Sequence, residues 1–229
     1  MNRVAEGYAV GVFYTVEYAG VDPQNGDALY FKNTKKADGS LDKSTTNDYN
    51  EAERIVLGDP NPDLIYGMTN NFSYKGWDLS VFLNGVAGNQ LNIFGMGRYS
   101  SANMLYEDNQ TADQLRRWQK PGDKTDVPQA RLYYSNGSQP SSRYIVPGSY
   151  LRVRNISLGY SVNPRILSRL KIEKLRVYVS AQNLLTVTKY PYWDPEVNAD
   201  SFDSNIAKGN DFYTPPQPKT ILFGVNISL

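Results

Sequence analysis

The 229-residue sequence contains no cysteine and no histidine. Without cysteine, the chain has no disulfide bond and no thiolate nucleophile. Without histidine, it has no Ser-His-Asp triad, no histidine-ligated zinc and no imidazole acid–base catalyst. These absences exclude the common hydrolytic sites, so we expect neither an enzyme nor a cofactor or metal site.

An excess of charge and long apolar runs are also missing. The 24 basic and 23 acidic residues leave a net charge of +1, and no basic cluster has the form of a nucleic-acid-binding patch. No apolar run reaches the roughly 18 residues of a membrane helix. Residues 1–7 lack the apolar core of a secretory signal peptide. We therefore expect no nucleic-acid partner and no membrane-spanning helix.

The sequence is rich in tyrosine, glycine and proline, with 18, 18 and 13 residues. This composition suits aromatic-rich strands joined by turns and polar loops. A strand that spans a bilayer in a barrel needs apolar residues only at alternate positions, so such a protein has a low average hydropathy. Composition is therefore compatible with a membrane barrel.

Alternation of apolar and polar residues predicts about six strands. The last is the clearest, because five apolar residues of 220–229 share one face and mostly polar residues share the other. A strand of about nine to eleven residues can cross a bilayer along a tilted path. The other predicted strands are 8–18, 64–74, 77–84, 150–162 and 175–182.

Two of these segments have local features that predict more than a strand. Only Lys75 and Gly76 separate 64–74 from 77–84, which predicts a tight antiparallel hairpin. In 150–162 the phase of the alternation changes: the apolar residues Leu151 and Val153 are at odd positions, whereas those from Ile156 onwards are at even positions. Either a β-bulge near Asn155 re-aims the chain, or the upper part of the strand lies beyond the lipid. We prefer the second, because arginine on a lipid face is costly only near the midplane.

The connections between the predicted strands are of two kinds. Two are short: the turn at 75–76 and the link 163–174, where Asn163 and Pro164 predict the start of a short helix. Three are longer than is usual in compact domains, namely about 19–63, 86–149 and 189–219. Short turns at one end and long loops at the other are typical of outer-membrane barrels, whose long loops are extracellular.

The long loops contain three motifs. Residues 111–114 form a capping box that predicts a short helix. Residues 22–27 only superficially resemble a calcium loop, because their acidic residues have the wrong spacing, and we interpret them as a turn. Asp194 and Glu196 could be offered as a carboxylate pair for hydrolysis. Nothing nearby would separate their pKa values, so we interpret them as solvated or as caps of backbone amides.

Several of these segments resemble one protein family. The stretches YLRVRNISLGY (150–160), LRVYVSAQNLLT (175–186) and YWDPE (192–196), with the terminal strand, resemble the C-terminal end of SusC/RagA-type TonB-linked outer-membrane transporters. Upstream, YAGVDP (18–23) and NFSYKGWDL (71–79) also fit. The resemblance covers nearly the whole chain. It implies an all-β fold: an antiparallel meander of about six long strands, the C-terminal part of a large transmembrane β-barrel, with long extracellular loops and one short loop helix.

The resemblance also implies a function for the whole receptor. Residues 1–229 would be one segment of the barrel, without the plug domain and the earlier strands, because barrels of this class have roughly 22 strands. The complete protein would import glycans or peptides across the outer membrane of a Gram-negative bacterium. Energy would come from TonB through the plug, and a SusD-like surface lipoprotein would close over the loops. Outer-membrane lipid would surround the barrel.

The aromatic residues of the third long loop are candidates for contact with the solute or with the lipoprotein. They are Tyr190, Tyr192, Trp193, Phe212 and Tyr213. The same rings could instead form an interfacial girdle or pack within the loop. A second set, expected to face the lumen towards plug or water, comprises Arg176, Tyr178, Ser180 and Gln182.

Two other functions remain open at this point. A secreted or surface β-sandwich that binds carbohydrate would bury the apolar faces against a second sheet. A barrel enzyme, such as an outer-membrane lipase or protease, would need a catalytic arrangement without histidine. The choice between glycan and peptide is also open.

Overall fold

The computed structural model describes residues 1–100, 103–105, 107, 109–168, 171–198 and 206–229. The chain divides into two units, which are described separately. The loop unit comprises Met1–Asn61, Asn89–Pro147 and Glu196–Thr214. The sheet unit comprises Pro62–Gly88, Gly148–Pro195 and Pro215–Leu229.

Strands dominate both units. In chain order they are β1 (Asn2–Arg3), β2 (Val12–Val16), β3 (Tyr18–Val21), β4 (Ala28–Phe31), β5 (Thr45–Thr46), β6 (Arg54–Gly58), β7 (Leu64–Tyr74), β8 (Trp77–Ala87), β9 (Gln90–Ile93), β10 (Ile145–Pro147), β11 (Tyr150–Ser161), β12 (Lys174–Thr188), β13 (Asn210–Asp211) and β14 (Thr220–Ser228). The helical segments are 3-10 turns at Tyr49–Glu51, Ala112–Arg116 and Ser142–Tyr144, a π-helical segment at Phe94–Tyr99, and the α-helix α1 at Pro164–Leu167. Among the described helices, none has both the length and the apolar character needed to cross a membrane.

The sheet unit is built on an antiparallel meander of five strands. Their order is β14-β12-β11-β8-β7, so each strand pairs with the next one of the unit along the chain. The β7–β8 hairpin turns at Lys75 and Gly76, whose φ angles of 46° and 87° are both positive. Two positive φ angles are what a tight hairpin turn with the natural twist requires. The all-β fold, the hairpin and five of the predicted strands are confirmed.

A β-bulge explains the change of phase in β11. The pairing register shifts between Val153 and Asn155, so Arg154 is an extra residue relative to β8. Because of this insertion, Val153 and Ile156 lie on the same face, opposite Leu83 and Val81. The bulge therefore accounts for the phase change, which corrects our preference for a strand end beyond the lipid.

The five-stranded sheet has one apolar and one polar face, as the cross-strand pairs define them. The apolar face includes Met68, Phe72, Leu79, Val81, Ile156, Leu158, Val177, Val179, Phe223 and Val225. Many of these side chains are exposed, and Phe223 is 84% exposed. A row of small polar residues, Asn71, Ser80, Ser157 and Ser180, crosses the opposite face.

The first predicted strand, 8–18, does not belong to this sheet. Instead, this part of the chain forms β2 and β3 of the loop unit. β2 is buried on both faces, since the neighbouring side chains on each face, such as Phe13 and Thr15 on one and Val12 and Val16 on the other, are enclosed. Phe13 places a large apolar side chain on the face that the alternation assigned to polar residues. Burial on both faces is typical of a core strand, so this prediction of a bilayer-facing strand is wrong.

The loop unit contains three small sheets and a buried core. The sheets are β1-β2-β6, β3-β4-β5 and β10-β9-β13. Val16, Ala28, Tyr30 and Ala52 form a buried cluster with Tyr18 and Tyr49 packed against it. The ring of Tyr30 meets those of Tyr18 and Tyr49 edge-on, with centroids 6.0 and 5.3 Å apart.

Both predicted helix starts are present. The side chain of Asn163 accepts a hydrogen bond from the backbone N–H of Arg165 and caps α1. After Thr111 the chain forms the 3-10 turn Ala112–Arg116, although the Thr111 side chain makes no capping hydrogen bond. The helix is therefore shorter and tighter than the capping box predicts.

Candidate functional site

The loop unit contains a cleft of about 460 Å³ that could hold part of a solute. Amide, guanidinium and aromatic side chains line it, among them Asn92, Asn210, Arg54, Arg98, Tyr14 and Phe94. None of the described lining residues is acidic. The cleft therefore offers hydrogen-bond donors and positive charge beside apolar rings, as ligand sites commonly do.

A chain of asparagine side chains fixes one wall of the cleft. The parallel pairing of β9 with β13 places Asn92 opposite Asn210. Asn92 Nδ2 donates to Asn210 Oδ1 at 2.8 Å, and Asn210 Nδ2 donates to Asn2 Oδ1 at 3.0 Å. An amide both donates and accepts, so this wall suits peptide groups or sugar hydroxyls equally well.

Arg98 is held firmly at the cleft. Its Nε donates to the backbone oxygen of Ser138 at 2.8 Å. Its guanidinium carbon lies 5.3 Å from the ring centroids of Phe94 and Tyr99, within the range of a cation–π interaction. The backbone contact and the two rings restrict the orientation of the guanidinium group.

Two of the predicted aromatic residues belong to this region. The rings of Phe212 and Tyr213 are 5.1 Å apart, and Phe212 lies 5.5 Å from Phe94, which lines the cleft. The hydroxyl groups of Tyr213 and Ser100 are 2.7 Å apart. Both rings remain partly exposed, so their contact with a solute or partner stays a prediction.

The other three predicted aromatic residues lie in the sheet unit. Tyr190 is buried, and its ring meets that of Tyr192 edge-on at 6.1 Å. Trp193 is 53% exposed. Tyr190 is thus placed to support Tyr192, whereas Trp193 offers an accessible ring. Ligand contact by these three residues also stays a prediction.

A buried ion pair anchors the segment that carries Tyr192 and Trp193. Arg152 of β11 donates from Nη2 to Oδ1 of Asp194, and both side chains are almost fully enclosed. The other oxygen of Asp194, Oδ2, accepts from the backbone N–H of Gln217 at 3.0 Å. Asp194 therefore joins the two ends of the last long connection to the sheet.

These contacts decide between the two interpretations of Asp194, a solvated carboxylate or a cap of a backbone amide. Its carboxylate caps a backbone amide, as one of our two interpretations has it, and it is not solvated. Both oxygens accept hydrogen bonds from the protein, which favours a structural role for this group over a hydrolytic pair with Glu196.

The predicted turn at 22–27 is confirmed. Asp22 Oδ1 accepts from the backbone N–H of Gln24, as in an Asx turn. Burial alone would raise the pKa of Asp27, but hydrogen bonds from Asn47 and Arg131 outweigh it and hold that pKa below its usual value. Asp27 is thus satisfied by protein donors rather than placed for a cation.

The polar face of the sheet carries a second ion pair. Arg176 of β12 reaches over β11 to Asp78 of β8, with Nε 2.9 Å from Oδ1. It crosses at Gly159, where an added Cβ would lie 2.3 Å from Arg176 Nη2. Arg176, Tyr178, Ser180 and Gln182 share this face, as predicted; its orientation towards a lumen remains a proposal.

Sequence reasoning missed the main residues of the cleft. Asn92, Asn210 and Arg98 lie in connections that the alternation treated as loops. One signal was present, because Asn92 sits between Leu91 and Ile93, and a buried amide among apolar residues needs a specific partner. That partner is 118 residues away, so the sequence alone could not supply it.

Comparisons with known proteins find similarity to proteins that are named TonB-dependent receptors. No family model matches it. It is 32% identical over 230 residues to TonB-dependent receptor P3 of Formosa agariphila, a match that covers 97% of this chain and 22% of that protein. It is 26% identical over 227 residues to TonB-dependent receptor SusC of Bacteroides thetaiotaomicron, with 97% and 20% covered.

A solved structure gives the same result for the fold. The structure of the RagAB peptide transporter matches with a TM-score of 0.75 at 27% identity, and the match covers 94% of this chain and 22% of that one. The chain thus spans about a fifth of the length of the proteins it matches.

Proposed function

Because this chain is related in sequence and fold to TonB-dependent receptors of the SusC/RagA type, we propose that it forms barrel-wall strands and extracellular loops of an outer-membrane importer of glycans or peptides. Residues 1–229 correspond to the C-terminal segment of the barrel. The plug and the remaining strands belong to the rest of the receptor. TonB supplies energy through the plug, and a SusD-like lipoprotein covers the extracellular side.

One observation carries this proposal: the apolar face of the five-stranded sheet is exposed. Phe72, Val177 and Phe223 are large side chains on this face with substantial exposure. In water such a continuous apolar surface would be unfavourable by about 25 cal/mol per Å². Hydrocarbon removes that penalty, so lipid is the environment that fits this face.

The edges of the sheet support the same reading. Within the described residues, β7 and β14 are the outer strands and each pairs on one side only. Unpaired backbone groups cost several kcal/mol each in hydrocarbon, by order of magnitude. Neighbouring strands of a larger barrel satisfy them.

The β-sandwich alternative requires a second sheet over the apolar face, which the exposure of that face disfavours. The enzyme alternative gains nothing from the comparisons, since the matched proteins are named receptors and a transporter. The loop-unit cleft is the proposed contact site for the solute. Its amides suit peptides and glycans alike, so we keep both.

A pair of adjacent substitutions in β12 tests the orientation of the sheet. Val179 pairs with Leu158 and Phe223 on the apolar face, whereas Ser180 pairs with Ser157 on the polar face. In the complete receptor, Val179→Arg should reduce insertion, since arginine on the lipid side costs about 2–4 kcal/mol near the midplane. Ser180→Arg is the matched control and should insert normally. The measurement is the amount of heat-modifiable receptor in outer-membrane fractions.

The reverse result, with Ser180→Arg lost and Val179→Arg retained, would contradict the orientation. A receptor that inserts equally well with either arginine would contradict the proposal that lipid contacts this sheet.

A further inference from the structure

The charge of the loop-unit cleft is one-sided. Arg54 and Arg98 line it, and neither forms an ion pair with a residue in the described ranges. Other arginines of the same unit do: Arg116 pairs with Asp113 and Asp126, and Arg131 pairs with Asp27. Arg54 and Arg98 therefore bring positive charge to the cleft without an acidic partner among the described residues. Such a cleft concentrates anions by focusing its positive potential.

Arg98 is arranged to receive an anion. The Ser138 carbonyl holds Nε at 2.8 Å and the rings of Phe94 and Tyr99 border the guanidinium group. No described acceptor is assigned to its Nη atoms, which form the fork that binds a carboxylate through two parallel hydrogen bonds. Because the side chain is already oriented, little conformational entropy is lost when a ligand binds.

Arg54 supplies the second charge. It begins β6, and its charge acts on the Tyr49 hydroxyl, where it partly offsets the rise in pKa that burial causes. The hydroxyl of Tyr49 in turn donates to the backbone oxygen of Pro140, a residue of the cleft wall. No acidic side chain of the described residues forms an ion pair with Arg54, so its charge is not compensated by them.

We infer that the cleft selects solutes that carry a carboxylate, and that Arg54 and Arg98 determine this selectivity. The inference rests on the proposed import function, because it names the chemical class of the imported solute. Asn92 and Asn210 bind the neutral polar part of the same molecule. Acidic oligopeptides and acidic oligosaccharides both present this chemistry.

The test is calorimetric titration of the complete receptor in detergent with two matched pairs of probes. One pair is a glutamate-containing hexapeptide and its glutamine counterpart. The other is an oligogalacturonate and its methyl ester. In at least one pair the acidic probe should bind about tenfold more tightly than the neutral one, as a charge-assisted hydrogen bond predicts.

Variants assign the effect to the two arginines. Arg98→Gln and Arg54→Gln should each weaken binding of the acidic probe by about tenfold and reduce the ratio between the two affinities, because glutamine stays polar but carries no charge. Measurable binding of the neutral probe reports that the cleft is still folded. Arg98→Lys should retain only part of the acid preference, because it keeps the charge but loses the pair of parallel hydrogen bonds. Lys124→Gln makes the same charge change at an exposed residue outside the cleft and should have no effect.

The outcomes separate this inference from the proposed function. Equal affinity for acidic and neutral probes would overturn the inference and leave import intact. An acid preference that survives both glutamine variants would also overturn it. Preference within one pair only would support it and identify the solute as peptide or sugar. If no probe of either charge bound, the import function would fail together with the inference.

Discussion

At the scale of single residues, the buried pair of Arg152 and Asp194 should contribute strongly to stability. Asp194→Asn removes the carboxylate that faces an enclosed guanidinium group. Breaking one side of a buried pair costs about 3–5 kcal/mol, so the unfolding temperature of the complete receptor should fall. Thermal unfolding in detergent, followed by tryptophan fluorescence, measures this.

The control is the double variant Arg152→Met with Asp194→Leu. It removes both charges, so it should be less destabilised than Asp194→Asn alone. A single variant as stable as the parent would mean that the pair does not hold the segment.

The same pair illustrates what a sequence reveals about one residue. The proline-bounded loop around Asp194 predicts a carboxylate that is solvated or caps backbone amides, and the hydrogen bond from Gln217 agrees with the second alternative. The partner Arg152 is 42 residues away. Alternation in 150–162 marks it only as a charge in a strand. Pairing across such a separation depends on the register of neighbouring strands, which periodicity does not encode.

At the scale of elements, the crossing of β11 by Arg176 depends on Gly159. An alanine Cβ there would meet Arg176 Nη2 at 2.3 Å, so Gly159→Ala should displace the arginine and weaken its pair with Asp78. The pair is partly exposed, so the loss should be modest, about 1 kcal/mol or less. In an Arg176→Ala background, Gly159→Ala should lower the free energy of unfolding by less, because the arginine is no longer there to be displaced. A double-mutant cycle of unfolding free energies measures this coupling.

Gly67→Ala in β7 is the matched control. Its added Cβ would meet the nearest atom, on the Phe82 ring, at 3.5 Å, an ordinary contact. It should show no coupling to Arg176. Equal coupling of both glycines would indicate a general effect of alanine in the strands rather than a steric one at the crossing.

The five strands of the sheet could be predicted because a strand with one apolar and one polar face alternates with a period of two, and β11 departs from this pattern only at its bulge. The phase change in 150–162 predicts either a β-bulge or a strand end beyond the lipid. Alternation alone cannot distinguish an inserted residue from a part of the strand that leaves the lipid. The prediction for 8–18 is wrong because Phe13 lies at a position that the alternation assigns to the polar face, and its side chain is buried. The small sheets of the loop unit escaped detection since strands of two to five residues are too short for a periodic signal.

At the scale of the whole chain, the outer strands determine how the isolated segment should behave. Within the described residues, β7 and β14 each pair on one side only, and the apolar face between them is exposed. Residues 1–229 expressed alone should therefore associate or aggregate, because unpaired edges and apolar surface both favour self-association. Light scattering after size-exclusion chromatography, with and without detergent, measures the association state of the segment.

Co-expression with the remainder of the receptor should restore outer-membrane insertion, since the missing neighbours then pair with these edges. A monodisperse, folded monomer in detergent-free buffer would instead support the soluble sandwich, because only a covered apolar face is compatible with it. The isolated segment thus discriminates between lipid and a second protein layer as the partner of the sheet, independently of any transport assay.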